Sequence, residues 1–389
     1  MAPHKSPRNR PNLELASEAG ASSKREIAYD AFKGVAIFAV VAHHVLGFST
    51  RRFADSGTVE WWTYQVLNRL THFAVPSFLF LSALLLARSL AKSGDLRAFY
   101  SKRVMGSLYP YLLWSLIYCL VRAYIGNETT DVGGVSVPTP LSSLSGWINV
   151  FIWGKASYHL YFLSILLQMT VLLPAFVWMV RRFRANWALL IGVALIAQLA
   201  FYLANANWRG VFEAFVPYTG TSVIWYLLPI CVGVWCGLNR SLKQDDNGWF
   251  VGVAWLFAIA GIGVYLLMDL TLVEWDGSSP LPWYYNNSVR DLSLMVNATG
   301  LSLLLMNARW SSLGGGPAVG VVLFFGAESL GVFLVHPLIL RFLGGPTVGG
   351  IFDSLPGAAL WLFAFLCALS IAFVAATSKL RVHRLLFGR

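Results

Sequence analysis

Long apolar runs separated by short polar stretches dominate this chain. Ten of them occur, at about 27–48, 70–90, 104–125, 158–180, 187–204, 221–239, 248–268, 290–308, 318–343 and 356–378. A helix needs roughly 20 mainly apolar residues, at about 1.5 Å each, to cross the hydrocarbon core of a bilayer. The pattern predicts an all-α, polytopic integral membrane protein of about ten transmembrane helices. Residues 1–26 are polar and rich in Ser, Lys, Arg and Glu, and are expected to form a disordered tail. That tail is too long for the leading segment of a simple signal peptide. No small-residue cleavage site follows the first apolar run, so the run is expected to be retained. One membrane domain, 27–380, is predicted, with larger loops at 126–157 and 269–289 and a second tail at 381–389.

Composition sharpens this picture. The 389 residues are 57% hydrophobic and 12% charged, with a mean hydropathy of +0.62. The charged share is half the roughly 25% of a soluble domain. A net charge of +11 would suggest a nucleic-acid partner in a soluble protein; here the distribution of charge matters more, and no nucleic acid is expected. With the N-terminus placed in the cytoplasm, 20 Lys and Arg residues fall in inner segments and 8 in outer ones, and Lys33 lies inside the first span. That bias predicts an even number of spans with both termini cytoplasmic, in a cell (inner or plasma) membrane. Cys119, Cys231, Cys236 and Cys367 all lie in apolar runs without CxxC spacing, and read as small core residues.

The first span, YDAFKGVAIFAVVAHHVLGFS (29–49), carries groups that lipid penalises. Lys33 lies near its cytoplasmic end and His44 near its outer end. Eleven residues separate them by roughly 16 Å along a helix and leave both within about 20° of one face. Asp30, three residues before Lys33, is placed to pair with it. His43 is turned from His44 by about 100°. His72, His159 and His336 also fall in the outer half of their spans, while His4 and His383 lie in the tails. Singly, such residues read as interfacial anchors. On a shared interior face, an ionisable group reads as part of a pathway. A metal site is not expected, because no HxxH or HxxxH spacing occurs and no carboxylate accompanies the histidines at that depth. Lys102 and Arg103 open the third span and bring cations to the cytoplasmic mouth, where they suit a phosphate-bearing donor. The positive-inside rule alone also accounts for them.

Several segments, in order, resemble the membrane-bound acyltransferase family 3. YDAFKGVAIFAVVAHH is similar to its first helix, a basic residue followed after ten residues by His, here Lys33 and His44. FAVPSFLFLSALLL (73–86), SKRVMGSLYPYLLWSLIY (101–118), YHLYFLSILLQMTVLLP (158–174) and FGAESLGVFLVHPLIL (325–340) resemble its later motifs. The PYLLWS and YHLYF wording within them is most similar to the branch that modifies extracellular polysaccharides. Three positions depart from the family. Lys33 replaces the commoner Arg and loses its bidentate fork. Ser107 stands where a basic residue is usual, and Ala83 where Gly is usual.

The resemblance implies transfer of an acyl group, usually acetyl, from cytoplasmic acyl-CoA to a glycan or lipid-linked sugar outside. Lys33, Lys102 and Arg103 would then hold donor phosphates, and His44 would act as general base or as a nucleophile. His336 and His159 are candidates for orienting the acceptor. Glu328, expected at mid-depth in the ninth span, is a further catalytic candidate, as a protonated structural carboxyl or as a partner for an interior cation. Segment 269–289 offers Trp275, Trp283, Tyr284 and Tyr285 beside Asp269, Glu274 and Asp276, which suits sugar rings and equally an interfacial aromatic belt. Membrane lipids and polysaccharide synthesis or export machinery are the expected partners. Two other readings stay open: a transporter or exporter of a glycan or small solute, and a structural partner of a polysaccharide synthase.

Overall fold

The computed structural model describes residues 10–132, 135–183, 186–239, 248–274, 283–308, 310 and 316–388, with 10–26, 249, 271–274, 283–286 and 346–347 described by backbone alone. Its helices in chain order are α1 (Arg10–Arg52), α2 (Val59–Leu70), α3 (Ala74–Ser93), α4 (Leu96–Arg103), α5 (Tyr109–Tyr124), α6 (Leu144–Phe151), α7 (Tyr161–Arg182), α8 (Trp187–Asn207), α9 (Arg209–Phe215), α10 (Leu227–Leu238), α11 (Gly248–Glu274), α12 (Trp283–Asn307), α13 (Pro317–Ala327), α14 (Ser329–Leu343), α15 (Pro346–Asp353), α16 (Ala358–Lys379) and α17 (His383–Phe387). The loop after α5 holds an antiparallel hairpin of β1 (Thr129–Val132) and β2 (Val135–Pro138). The protein is therefore nearly all-α. Among the described residues, eight helices or continuous helix pairs are long and apolar enough to cross a bilayer.

Two of the ten apolar runs take other forms. The run at 221–239 becomes the shorter apolar helix Val223–Leu238, and the run at 318–343 becomes α13 and α14, bent by 87°. The bend falls at Glu328, whose φ of −98° and ψ of 16° leave the helical region. Its cause lies in packing. Gly326 is pressed so closely on α1 that a Cβ there would sit 1.7 Å from the Asp30 carbonyl oxygen, which holds α13 against the middle of α1. On α10, Gly233 and Gly237 do the same for α3, where a Cβ would lie 2.4 Å from Phe80 O and 2.5 Å from Leu84 O. Ala83 fits into that contact, its methyl 3.2 Å from where a Cβ on Gly233 would sit. Small residues spaced by four let membrane helices pack backbone to backbone in this way.

α1 runs through the middle of the bundle and touches α2, α3, α12, α13, α14 and α16. That enclosure explains how it carries His43 and His44, which face cavities between helices, while the half-buried Asp30 and Lys33 answer each other as an ion pair. Val104–Leu108 joins α4 to α5 as a π-helical segment. Pro110 lacks an N–H and crowds the carbonyl four residues back, and the wider π turn relieves that conflict just after Lys102 and Arg103. Asp30 lies against Gly326, and Glu328 Oε2 lies 3.6 Å from His383 Nε2. The start of the first span and the last helix thus share one end of the bundle.

Candidate active site

Five imidazoles converge away from that end. His43 and His44 come from α1, His72 from the break between α2 and α3, His159 from the turn before α7, and His336 from α14. Their rings form a chain: His72 to His43 at 4.6 Å, His43 to His44 at 5.1 Å, His44 to His336 at 5.2 Å and His336 to His159 at 5.8 Å. Each neighbour of His44 is held by a hydrogen bond. Asn68 Nδ2 donates to the His43 carbonyl at 2.7 Å and lies 3.1 Å from His43 Nδ1. His43 Nδ1 therefore accepts, and its proton sits on Nε2. His336 Nδ1 donates to Val332 O at 2.9 Å, which leaves Nε2 as a lone pair, buried and without a partner. His159 Nδ1 lies 3.1 Å from Ser157 Oγ, and His72 Nδ1 bonds the Tyr265 hydroxyl. His44 has ring contacts, including Tyr158 at 4.8 Å, but no hydrogen-bond partner among the described residues. Among the described residues it is the one imidazole with both nitrogens uncommitted, as a general base or nucleophile requires.

Two cavities meet at this cluster, and His43, His44 and Tyr158 line both. The larger, about 650 Å³, is walled by Arg51, Arg122, Lys155 and Arg341 with Glu128. Glu128 is taken by Arg122, whose Nε donates to Oε2 at 2.7 Å. Lys155 Nζ lies 4.0 Å from the centre of the Tyr218 ring, and its burial lowers the pKa of the ammonium. The smaller cavity, about 410 Å³, has no Asp, Glu, Lys or Arg on its wall; His43, His44, His72 and His159 line it together with tyrosines and with Val40, Val75, Met295 and Phe333. One space suits a charged, hydrated molecule. The other suits an acyl chain.

The family model for the acyltransferase domain matches residues 26–378, nearly the whole chain and all of both cavity walls. The chain belongs to the membrane-bound acyltransferase family 3. It is thus an acyltransferase and a multi-pass membrane protein. No match was found among curated proteins or among solved structures.

Within this acyltransferase the predicted site residues separate into groups. His44, His336 and His159 come together. Lys33 pairs with Asp30 at 2.6 Å. Lys102 is exposed. Arg103 Nη2 donates to Ser89 Oγ at 2.7 Å, its guanidinium lies over Phe99, and its Nε is buried without a partner. None of these three cations lines either cavity at His44. Glu328 sits at the α13–α14 bend beside His383 and also lines neither. Trp275 lies outside the described residues, as does the side chain of Trp283, the first residue of α12. Sequence reasoning passed over His43, Tyr158 and the cations of the larger cavity. His43 points about 100° from His44, yet α1 is enclosed on both faces and the pair shares both cavities. The HH dipeptide and the common outer-half depth of five histidines were the signals available.

Proposed function

We propose that this acyltransferase moves an acyl group, acetyl in the simplest case, from cytoplasmic acyl-CoA across the cell membrane to a hydroxyl of a glycan or lipid-linked sugar outside. The observation that carries the reading is that His44 borders both a cavity free of Asp, Glu, Lys and Arg and a cationic one. A thioester in the first and a hydroxyl in the second would meet at its ring. Lys33, Lys102 and Arg103 supply cations for the donor's phosphates at the other end of the bundle, with the free Arg103 Nε as one donor still to be satisfied. Val40, on the wall of the apolar cavity, is seven residues from Lys33, or about 10 Å along α1. A flexible pantetheine arm has that distance to thread.

His44 takes the proton of the acceptor hydroxyl as its oxygen bonds to the thioester carbonyl carbon. The C–S bond then breaks, and His44 returns the proton to the departing thiolate. His336, oriented by Val332, and His159 position His44 and the acceptor. The test supplies radiolabelled acetyl-CoA to inverted membrane vesicles and follows label on lumenal glycan. Label is expected with the wild-type chain and not with a His44→Ala variant that inserts normally. Full acetylation by that variant removes His44 from the reaction, and glycan flux without acetyl-CoA dependence replaces transfer with transport.

A further inference from the structure

Three cations in the larger cavity have no carboxylate to answer them. Among the described residues Glu128 is the only acidic group on the wall, and Arg122 occupies it. Arg51, Lys155 and Arg341 pair with no acidic residue described. Membrane insertion does not account for them, because in the orientation proposed above they lie on the side that the positive-inside rule keeps poor in Lys and Arg. Of the 8 outer cations in the sequence, half line this one cavity. Concentrating like charges in a partly enclosed space costs repulsion and leaves a field that draws anions.

Their placement is directional. Arg51 follows His44 by seven residues in the same helix, so it lies about 10 Å further along α1 and within about 20° of the His44 face. Gly47, between them, keeps that wall free of a side chain. A molecule with a hydroxyl at His44 and an anionic group one or two sugar residues away would span the two. Guanidinium forks match the paired oxygens of carboxylate and phosphate.

We infer that the acceptor is an anionic carbohydrate, its carboxylate or phosphate held by Arg51, Lys155 and Arg341 while its hydroxyl faces His44. The inference rests on the proposed acyl-transfer reading, and its test is kept separate by omitting the donor. The full chain in nanodiscs of zwitterionic lipid is equilibrated with three labelled oligosaccharides of equal length: neutral, uronate-containing and phosphate-bearing. At least one anionic oligosaccharide is expected to bind about tenfold tighter than the neutral one, with the advantage shrinking between about 0.05 and 0.5 M salt. Preference for uronate alone names an acidic sugar, and preference for phosphate alone a phosphorylated glycan. Arg51→Gln with Arg341→Gln should erase the preference and leave neutral binding as it was, while Arg51→Lys with Arg341→Lys should keep most of it. Equal binding of all three by the wild-type chain, or binding of none, overturns the inference without needing any variant. Acetyl transfer to neutral glycan at undiminished rate would also overturn it and leave the acyltransferase reading standing.

Discussion

The two cavities that share His43, His44 and Tyr158 differ in the charge of their walls. Four cationic side chains wall one, while the other is closed by aliphatic, aromatic and histidine side chains with no Asp, Glu, Lys or Arg among them. Moving an anion from the first into the second would forfeit the cations that answer its charge and leave it only neutral imidazole and hydroxyl groups. The contrast therefore sorts two substrates by polarity and lets them meet only at the imidazoles. It also makes the histidine pair the wall between compartments, so damage there should differ in kind from damage on either side.

The largest effect expected follows from breaking that wall. His44→Ala should lower acetyl transfer by about 10²–10⁴-fold, the usual worth of a positioned acid–base group, while donor-free binding of oligosaccharide changes little. Radiolabel transfer and equilibrium binding on the same preparation separate the two readouts. A parallel loss of both would mean that His44 shapes the cavity rather than the chemistry. Crowding the apolar side comes next. Val75→Phe adds bulk to a wall that carries no charge, at a packing cost of about 1–3 kcal/mol. Transfer from butyryl-CoA should fall by about tenfold and transfer from acetyl-CoA by less, with oligosaccharide binding unchanged. If both acyl chains slow equally, this cavity does not hold the acyl group.

How much of this was legible beforehand depends on range. Apolar runs located the spans, because the cost of exposing backbone to lipid is local and length-bound. The facing of Lys33 and His44 followed from helical period alone. The bend at Glu328 was hidden, since FFGAESLGVF reads as one continuous run and the bend depends on Gly326 meeting the backbone of Asp30 on a helix almost three hundred residues earlier. The five-histidine chain was visible only as a common depth. Which rings touch is decided by how α1, α7 and α14 pack, which no local pattern encodes. The cations of the larger cavity were counted as exceptions to a charge bias, and only the fold shows Arg51, Arg122, Lys155 and Arg341 on one wall. Trp275 and Trp283, chosen for the acceptor, lie where side chains are not described, and the acceptor wall now rests on other residues.

The smallest effect expected separates two adjacent arginines. Arg51 lines the cationic cavity, whereas Arg52 reaches outward and grips Asp353, Nε to Oδ1 at 2.9 Å and Nη2 to Oδ2 at 2.7 Å. If the larger cavity selects anions by its own wall, Arg52→Ala should leave the preference for anionic oligosaccharide within about twofold of wild type, since exposed pairs of this kind contribute little. The same pair sets a pH signature. The hydrogen bond from Arg52, with its charge, holds the Asp353 carboxyl below its ordinary range. A lowered native pKa means a contribution fully present above the unfolded value of about 3.9 and lost as pH falls through the lower native one. Thermal unfolding of wild type and Asp353→Asn should therefore differ by a small constant from neutral pH down to about pH 5, and converge in stronger acid. Anion preference should not follow that convergence. A preference that tracks Asp353, or that falls on Arg52→Ala as far as on Arg51→Gln, would assign selectivity to the general charge of this rim instead of to the wall facing His44.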